Sequence, residues 1–407
     1  MSDEARRVIE RVARESYGRL VAYLSARTHD VAAAEDSLSE AFMAAIRTWP
    51  RDGVPGSPEA WLLTAARNRL IDRARHERIH DREAPTIRLL VREAEAPSVA
   101  SVFPDERLKL LFVCAHPAID RAIHTPLMLQ VVLGLDAATI ANAFLLQPAT
   151  MGQRLSRAKT KIRDAGIAFE IPDRHELPER VEAVLDAIYA AYGSGWDDLA
   201  GADARRRGLT EEAIWLARVL RHLLPDEPEA RGLLALMLFC EARRGARRDA
   251  NGGYVAVSSQ DTSTWSAPMI QEAEQLLAAA ARQQRPGRFQ LEAALQSAHI
   301  DGARSGQTDW HAIALLYEGL VRTAPTVGAL VGRAAAVAEA LDPATGLARL
   351  DEIDTIAARS YQPFWAVRAH LLQRLGRTPE ARAAFDRAID LTEDVAVREF
   401  LLKARNS

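Results

Sequence analysis

Apolar residues recur every three or four positions through most of this chain, which is the spacing of one face of an α-helix. Ala, Leu, Arg and Glu, all strong helix formers, dominate the same segments. The alternation of apolar and polar residues that marks a strand is almost absent, except at residues 254–257. The pattern therefore predicts an all-α fold.

Two stretches with closely spaced prolines interrupt the helical pattern and divide the chain into three blocks. We predict a first domain at 1–82, a linker at 83–104, a second domain at 105–170, a linker at 171–178 and a third domain at 179–407. The first two blocks are long enough only for small helical domains, whereas the third can build a larger core.

The third block contains a weak 34-residue repeat. Ala381, Phe385 and Ala388 have the spacing of the second helix of a tetratricopeptide (TPR) repeat. Earlier copies of these positions are Leu347, Asp351 and Asp354, and then Ile313, Tyr317 and Leu320. The two outer copies have apolar or aromatic residues at all three positions, as the repeat requires, whereas the middle copy has aspartate at two of them. We predict a degenerate, TPR-like helical-hairpin array, and an irregular helical domain is the alternative.

Residues 135–163 read as two helices joined by a short turn. Asp136 is a good N-cap for a helix from Ala137 to Phe144, and Pro148 suits the first turn of the next helix. Met151, Leu155 and Ala158 form one apolar stripe, and basic side chains occupy the opposite face. This pattern predicts a helix-turn-helix that enters a major groove. The alternative is a solvated basic face on an ordinary bundle helix.

The second helix carries side chains that can read DNA. Arginine binds guanine and glutamine binds adenine through paired hydrogen bonds, whereas lysine more often holds a phosphate. The predicted DNA-contacting residues are Thr150, Gln153, Arg154, Ser156, Arg157, Lys159 and Lys161.

Two further segments near the N-terminus combine apolar and charged faces. Residues 30–50 predict an acidic amphipathic helix, with Val31, Ala34, Leu38, Phe42 and Ile46 facing inward. A loop at 51–58 and a helix rich in arginine follow. Each segment taken alone also fits a plain bundle helix with a solvated charged face.

These segments, in this order, resemble the bacterial sigma factors of the sigma-70 family. The stretch LDAATIANAFLLQPATMGQRLSRAKTKIR is similar to region 4.2, in which Thr150, Arg154, Leu155, Arg157 and Ala158 match the family's pattern. Thr139 departs from it, because the family usually has an acid there. The resemblance implies that this helix reads the −35 promoter element.

Residues 30–80 resemble region 2 of the same family. The resemblance implies docking on the clamp helices of the polymerase β′ subunit and capture of the melted −10 element. The implied polymerase contacts are Glu35, Asp36, Leu38, Glu40 and Phe42, and the implied −10 contacts are Arg67, Asn68, Arg69, Arg73, Arg75 and Arg78. Region 4 of the family also contacts the β flap of core RNA polymerase.

Only the linker at 83–104 separates the two matching segments, as in the group 4 (extracytoplasmic-function) factors. The third block resembles a subgroup with a TPR-like extension, although Ala115 replaces the second of two adjacent cysteines usual there. Within it, a polar loop is a candidate docking or sensing site for an unknown protein or ligand, and a structural hairpin is the alternative. The loop residues are Asp249, Gly252, Gly253, Gln260, Asp261 and Trp265.

Composition excludes several other classes of protein. The chain has 407 residues, a net charge of −3 and two cysteines far apart, so neither a disulfide framework nor a zinc cluster is expected. We expect no catalytic site, cofactor or metal, because the histidines are scattered and no glycine-rich phosphate loop follows a strand. The N-terminus has no apolar signal core and no segment is a candidate membrane span, so we expect a cytoplasmic protein.

The prediction is therefore a sigma factor that binds core RNA polymerase and promoter DNA and is regulated by its third domain. Two alternatives stay open. One is a TPR-type scaffold protein with an incidental helix-turn-helix, and the other is an operator-binding transcription regulator. Neither alternative has a reason to carry the region 2 pattern.

Overall fold

The computed structural model describes residues 3–77, 104–144, 146–196, 204–353 and 358–406. These residues form α-helices, short 3-10 helices and turns, with an isolated antiparallel bridge between Arg248 and Tyr254. The predicted all-α fold is confirmed. Most of the predicted linker at 83–104 lies outside the described residues.

The chain divides into two compact units, Met1–Leu223 and Leu224–Ser407. The helices of the first unit are α1 (Asp3–Thr28), α2 (Val31–Asp52), α3 (Pro58–Glu77), α4 (Arg107–Cys114), α5 (Arg121–Val131), α6 (Ala137–Ala143), α7 (Pro148–Asp164), α8 (Leu177–Trp196) and α9 (Ala204–Leu223).

Local side-chain chemistry sets several of these boundaries. The Asp30 carboxylate accepts a hydrogen bond from the Ala33 amide at 3.0 Å and so caps α2. Asp120 caps α5 in the same way, through the Ala122 amide at 3.0 Å. Gly53 ends α2 with a φ of 89°, a conformation that glycine adopts without strain.

Helices α1, α2 and α3 pack against one another as a three-helix bundle. The rings of Trp49 and Trp61 meet edge to face with centroids 5.5 Å apart, which joins the end of α2 to the start of α3. The second half of helix α4, from Leu110 to Cys114, is apolar on every side and buried. Such a helix needs cover on every side, and α1 and α8 provide part of it.

Helices α8 and α9 complete the core of the first unit. They pack on each other and on α4, α5 and α6. The Thr125 hydroxyl donates to the Ala187 carbonyl at 2.8 Å, and Arg121 pairs with Asp186 at 2.5 Å. The predicted linker at 171–178 therefore lies within this unit.

The second unit consists of helices and one long loop. Its helices are α10 (Pro228–Ala242), α11 (Ala267–Ala281), α12 (Arg288–Ser305), α13 (Trp310–Thr323), α14 (Val327–Ala340), α15 (Pro343–Asp351), α16 (Gln362–Arg374), α17 (Thr378–Asp390) and α18 (Val395–Asn406). The long loop between α10 and α11 contains short 3-10 helices at Arg244–Arg247, Val257–Ser259 and Thr262–Thr264.

The first part of the second unit is built around α10, which is buried over most of its surface and packs on α11 and α12, and separate core clusters lie among the later helices. The Glu229 carboxylate of α10 caps the start of α12, where it accepts from the Phe289 amide at 2.8 Å and the Gln290 amide at 3.1 Å. After α12, consecutive helices pack as neighbouring hairpins, α13 on α14 and α16 on α17.

The positions of the predicted repeat differ in burial. Ala381, Phe385 and Ala388 are buried, as are Ile313, Leu320 and Leu347. Asp351 is exposed, so of the two described positions of the middle copy only Leu347 lies in the core. Asp354 lies outside the described residues. Among the described helices, none has the length and hydropathy that a membrane crossing requires.

Candidate nucleic-acid interface

Helix α7 has one buried face and one exposed basic face. Met151, Leu155, Ala158 and Ile162 are buried at helical spacing. Pro148 lies in the first turn, where its missing N–H leaves no hydrogen bond unmade. The exposed face carries Thr150, Gln153, Arg154, Ser156, Arg157 and Lys161. All but one of the predicted −35 contacts therefore share a solvent-exposed surface.

Helix α6 supports α7 from behind. Asp136 accepts hydrogen bonds from the amides of Ala138 and Thr139, both at 2.9 Å, which confirms it as the N-cap. The Thr139 hydroxyl also donates to Asp136 at 2.7 Å, and these hydrogen bonds lower the pKa of the carboxyl. Ile140 and Ala141 are fully buried on the side that packs on α7. The connection is short, with the Leu146 amide bonded to the Ala141 carbonyl at 2.8 Å.

An open concavity of about 460 Å³ lies along the last turns of α7. Ser156, Arg157, Thr160 and Lys161 line it with hydroxyl and cationic groups, and Asp164 and Ala165 complete the lining with one carboxylate and one methyl group. Hydroxyl and cationic donors of this kind hold phosphate oxygens in protein–DNA complexes. The concavity therefore extends the basic face toward the C-terminal end of α7.

Lys159 differs from the other predicted contacts, because its side chain faces α2 rather than solvent. Its ammonium lies 2.7 Å from the Glu35 carboxylate, and the two side chains are only 14% and 10% exposed. Tyr17 also donates to Glu35, at 3.4 Å. Burial raises the pKa of Glu35, and Lys159 opposes that rise. In this arrangement neither Lys159 nor Glu35 can touch an outside partner.

The placement of Lys159 follows from helix geometry. At 100° per residue, Lys159 lies 40° from Leu155 and 60° from Ile162 around the axis, at the edge of the buried stripe. Arg163 occupies the next turn on the same side, 3.9 Å from the Asp30 carboxylate. These two positions therefore border α2, whereas Arg154 and Arg157 face solvent.

Helix α2 has a mixed acidic and apolar face that is exposed. Asp36 and Glu40 are exposed, and Phe42 is partly buried. Met43 and Ile46 are 53% and 38% exposed, which is unusual for large apolar side chains. The predicted contacts Glu35 and Leu38 are buried instead, Leu38 completely. The accessible part of the predicted polymerase surface is therefore Asp36, Glu40 and Phe42, extended by two residues that sequence analysis missed.

The prediction that Ile46 faces inward is wrong, because its side chain is exposed, and the implied polymerase contact Glu35 is buried. The buried face of α2 follows mixed steps of three and four residues, through Val31, Ala34, Leu38, Ala41, Ala45 and Trp49. The prediction instead used repeated steps of four beyond Ala34, and each such step turns 40° around the axis. After three of these steps, Ile46 lies 120° from Ala34 and points away from the core.

Helix α3 exposes three of the predicted −10 contacts. Asn68, Arg69 and Arg73 are exposed, and Arg67 is partly buried with its guanidinium 6.0 Å from the Tyr23 ring. Arg75 is helical in backbone, and Arg78 lies outside the described residues. Exposed arginines along one helix can bind the phosphate backbone of single-stranded DNA, as the cationic grooves of single-strand-binding proteins do.

Ion pairs join the exposed acids of α2 to the arginines of α3. Arg73 lies 3.5 Å from Asp36, and Arg69 lies 3.4 Å from Glu40. All four side chains are more than half exposed, so water screens these pairs and each contributes little to stability. The acids and the arginines are therefore neighbours on one surface and can still exchange partners.

The predicted regulatory loop is a set of capped turns in the second unit. Asp249 accepts from the amides of Asn251 and Gly253, both at 2.8 Å, around Gly252 with a φ of 81°. Gln260 and Trp265 are buried, with the Gln260 amide donating to the Val255 carbonyl at 3.2 Å. Asp261 is exposed and caps Ser263 at 2.9 Å.

Comparison with known families gives an independent view of the first helices. Residues 12–79 match the family described as Sigma-70 region 2. This segment covers most of α1, all of α2 and all of α3, and it contains the predicted polymerase contacts and −10 contacts. The first helices of the chain are therefore similar to region 2 of the sigma-70 family. A region 2 segment implies binding to core RNA polymerase and promoter DNA.

Two other findings concern the rest of the chain. Residues 180–281 match a family of unknown function, DUF6596, and so run from α8 to the last turn of α11. The chain is 38% identical over 393 residues to Uncharacterized protein R00370 of Rhizobium meliloti (strain 1021), and the alignment covers 95% of this chain and 92% of that protein. No solved structure matches the chain.

Within the described residues, no group of three or more His, Cys, Asp or Glu side chains is placed to hold a metal ion. Cys114 is fully buried, and burial raises its pKa, which makes the reactive thiolate scarce. The candidate site therefore consists of exposed basic and acidic helix faces on a compact helical unit.

Proposed function

We propose that this protein is a sigma-70 family factor of group 4 that directs core RNA polymerase to promoters. In this proposal α7 is the second helix of a helix-turn-helix and reads the −35 element. The segment from 53 to 77 captures the −10 element. The exposed face of α2 docks on the clamp helices of the β′ subunit, and the α6–α7 pair contacts the β flap.

One observation carries the proposal. The same compact unit contains the matched region 2 segment and an exposed, basic, well-supported helix whose side chains can read bases. Arg154 and Arg157 can bind guanine and Gln153 can bind adenine in a major groove, each good pair being worth about 1–3 kcal/mol of discrimination. A scaffold protein needs neither feature, and an operator-binding regulator needs only the second.

The −10 and polymerase assignments rest on the remaining exposed residues. Asn68, Arg69 and Arg73 supply donors and positive charge for a melted strand. Asp36, Glu40, Met43 and Ile46 form an acidic and apolar surface. A basic and apolar partner surface complements it, which raises the association rate and fixes the orientation of the complex.

The second unit is proposed to be a TPR-like domain that regulates the sigma unit. Its consecutive helical hairpins support this assignment. In the loop between α10 and α11, the exposed turn at Asp249 and Gly252 and the exposed Asp261 are candidates for docking an unknown protein or ligand. Gln260 and Trp265 hold that loop against the core.

The proposal is tested by transcription in vitro with core RNA polymerase on the DNA upstream of the protein's own gene. Arg154→Ala is expected to lower specific initiation about 5- to 150-fold on templates with an intact −35 element, which corresponds to 1–3 kcal/mol. The matched control is Arg382→Ala, which removes an exposed arginine from α17 of the second unit and is expected to have no effect.

Two results would contradict the proposal. Equal loss on templates with and without the −35 element would make Arg154 a plain phosphate contact. Tight binding of the isolated protein to duplex DNA, with a steep salt dependence and no need for polymerase, would favour an operator-binding regulator.

A further inference from the structure

The long loop between α10 and α11 is in direct contact with the last helix of the chain. Arg248 donates to the carboxylate of Asp394, the residue just before α18, although 146 positions separate the two residues. The Tyr254 and Phe400 rings meet edge to face, with centroids 5.3 Å apart. We call these four residues the clasp. The clasp connects the first hairpin of the second unit, α10 and α11, to α18.

A short hairpin presents the two loop residues of the clasp side by side. Arg248 and Tyr254 form the isolated antiparallel bridge, and the Asp249 amide donates to the Gly253 carbonyl at 2.9 Å. The Asp249 carboxylate accepts from the amides of Asn251 and Gly253, both at 2.8 Å. Backbone groups and the Asp249 carboxylate therefore hold the hairpin, and the side chains of Arg248 and Tyr254 are available for contact with α18.

Asp394 belongs to the clasp and is also the cap of α18. One of its carboxylate oxygens accepts from the amides of Ala396 at 2.9 Å and Val397 at 3.2 Å, and the other accepts from Arg248. Burial acts to raise the pKa of Asp394, but the hydrogen bonds from Arg248 and from the two amides lower it below its usual value. A single ionised carboxylate therefore joins the start of α18 to the loop.

Helix α18 has few other attachments. Of its residues, all of which the structure describes, Leu401 alone is buried, and Val395 is 65% exposed. Its second half is held by Leu401 and by Arg405, which lies 2.5 Å from Asp386 of α17. A helix with so few buried side chains opens locally at a small free energy. The first half of α18 therefore depends on the clasp.

The clasp also changes the connectivity of the helical array. In an open repeat array each unit packs only on its neighbours, so the two ends open independently. Here α10 packs on α12, and the helices from α12 to α18 pack one after another. The loop then leads back from α18 to α10, on which its 3-10 helix at Arg244–Arg247 packs. The contacts of the second unit therefore form a closed series.

We propose that the clasp closes this series of helices and couples the loop to α18, so that loosening either one loosens the other. The inference adds to the proposed function and does not depend on the sigma assignment. A ligand bound to the exposed turn at Asp249 and Gly252, next to Arg248, would then shift α18 between its docked and released positions. Release exposes Leu401, which in the docked position belongs to the core cluster of the later helices.

The first test is hydrogen–deuterium exchange of the full-length protein, read by mass spectrometry. Arg248→Ala and Tyr254→Ala alter the loop and leave every residue of α18 unchanged. Arg248→Ala is expected to speed exchange of the α18 amides about tenfold, an effect between those of an exposed and a buried ion pair. Tyr254→Ala is expected to speed it about 2- to 12-fold, as for the loss of an aromatic pair. Unchanged exchange of the buried helix α10 shows that each variant is folded.

Two further variants separate the clasp from other effects. Arg244→Ala is the matched control, because Arg244 lies in the same loop and pairs with Glu241 at 2.8 Å, and it is expected to leave α18 unchanged. Asp394→Asn keeps a good cap and removes the charge that Arg248 meets, so it is expected to act as Arg248→Ala does. Combining Arg248→Ala with Asp394→Asn is expected to add little, because both remove the same interaction.

The second test uses the reciprocity that coupling requires. Phe400→Ala removes a side chain of α18 that is 41% exposed and changes no residue of the loop. The Asp249 and Val255 amides, which bond across the hairpin at 2.9 and 3.0 Å, are expected to exchange about 2- to 12-fold faster. Val395→Ala, at an exposed residue of α18 outside the clasp, is the matched control and is expected to leave the loop unchanged.

The outcomes are distinct from those that test the sigma assignment. Unchanged α18 exchange in both Arg248→Ala and Tyr254→Ala would overturn the clasp. Faster α18 exchange in these variants, with unchanged loop exchange in Phe400→Ala, would overturn the coupling. The expected result in both directions would support the clasp even if transcription in vitro removed the sigma assignment, because each measurement is made on the second unit.

Discussion

Asp136 is the residue on which the start of α6 depends, because its carboxylate takes two backbone amides and the Thr139 hydroxyl. Asp136→Ala leaves these amides without their partner and is expected to lower the free energy of unfolding by about 1 kcal/mol. Asp136→Asn keeps an acceptor of equal capping strength and is expected to cost little. Urea denaturation of the full chain and both variants, monitored by circular dichroism, measures the difference.

The same residue gives the protein a defined pH dependence. The hydrogen bonds from Thr139 and the backbone lower the pKa of Asp136 in the folded state. The ionised form is therefore the stabilising one. Its contribution is present above the unfolded pKa of about 3.9 and is lost as the pH falls through the lower folded pKa. Asp136→Asn is expected to lack this part of the acid-induced loss, and an identical acid profile for both proteins would contradict the assignment.

At the scale of single residues, the sequence predicts what depends on near neighbours. The cap at Asp136 needs only groups two and three positions away, so its sequence pattern was sufficient. The partner of Lys159 is 124 positions away, and nothing along the chain singles out Glu35. Helix geometry does place Lys159 beside the buried stripe, which is the signal that its role differs from that of Arg157.

At the scale of elements, periodicity predicted the helices well and their faces less well. The predicted helices at 30–50 and 148–163 correspond to Val31–Asp52 and Pro148–Asp164. Helix length depends on local propensity and caps, which the sequence carries. The face of α2 depends on which of two apolar stripes finds a partner. In the structure Ala41 and Ala45 form the buried face rather than Phe42 and Ile46, because their small side chains allow close helix contact.

The exposed stripe of α2 leads to a prediction about polymerase binding. Met43→Asp changes a side chain that is 53% exposed, so the fold is expected to be unaffected. If Met43 is a central apolar anchor, its loss is expected to weaken affinity for core polymerase about 30-fold or more, as for residues worth 2 kcal/mol. Fluorescence anisotropy of the labelled full chain titrated with core polymerase measures this change.

The matched control for this experiment is Leu315→Asp, which makes the same kind of change at a side chain 73% exposed in the second unit. It is expected to bind polymerase as the parent protein does. If Met43→Asp and the parent protein bind core polymerase with equal affinity, α2 is not part of the docking surface. The exposed acids Asp36 and Glu40 would then lack an apolar neighbour that contributes to binding.

At the scale of the whole molecule, the division into units differs from what proline spacing indicates. Prolines at 172 and 178 mark a break in helical periodicity, and the chain does turn there. A turn between helices and a boundary between domains have the same local signal, however, and only packing distinguishes them. The apolar residues of α8 face α4 and α5, so this helix belongs to the first core.

This packing makes the effect of truncation predictable. A fragment of residues 1–174 lacks α8 and α9 and therefore loses the side chains that cover α4 and α5, among them Val184, Leu185 and Ile188. It also leaves the Thr125 hydroxyl without the Ala187 carbonyl. A fragment of residues 1–223 keeps the complete first unit. The longer fragment is expected to be monomeric with one cooperative thermal transition, and the shorter one to aggregate or melt without cooperativity.

Size-exclusion chromatography measures the aggregation state of both fragments, and calorimetry measures the cooperativity of their thermal transitions. A fragment of residues 224–407 is the control that tests whether the second unit folds independently. A cooperative transition of 1–174 at the same temperature as 1–223 would mean that α8 and α9 add nothing to the first core. The predicted result would instead show that the match at 180–281 begins with helices that stabilise the first unit. Any functional test of the second unit should then remove residues from 224 onward, because cuts at 174 confuse loss of regulation with loss of the fold.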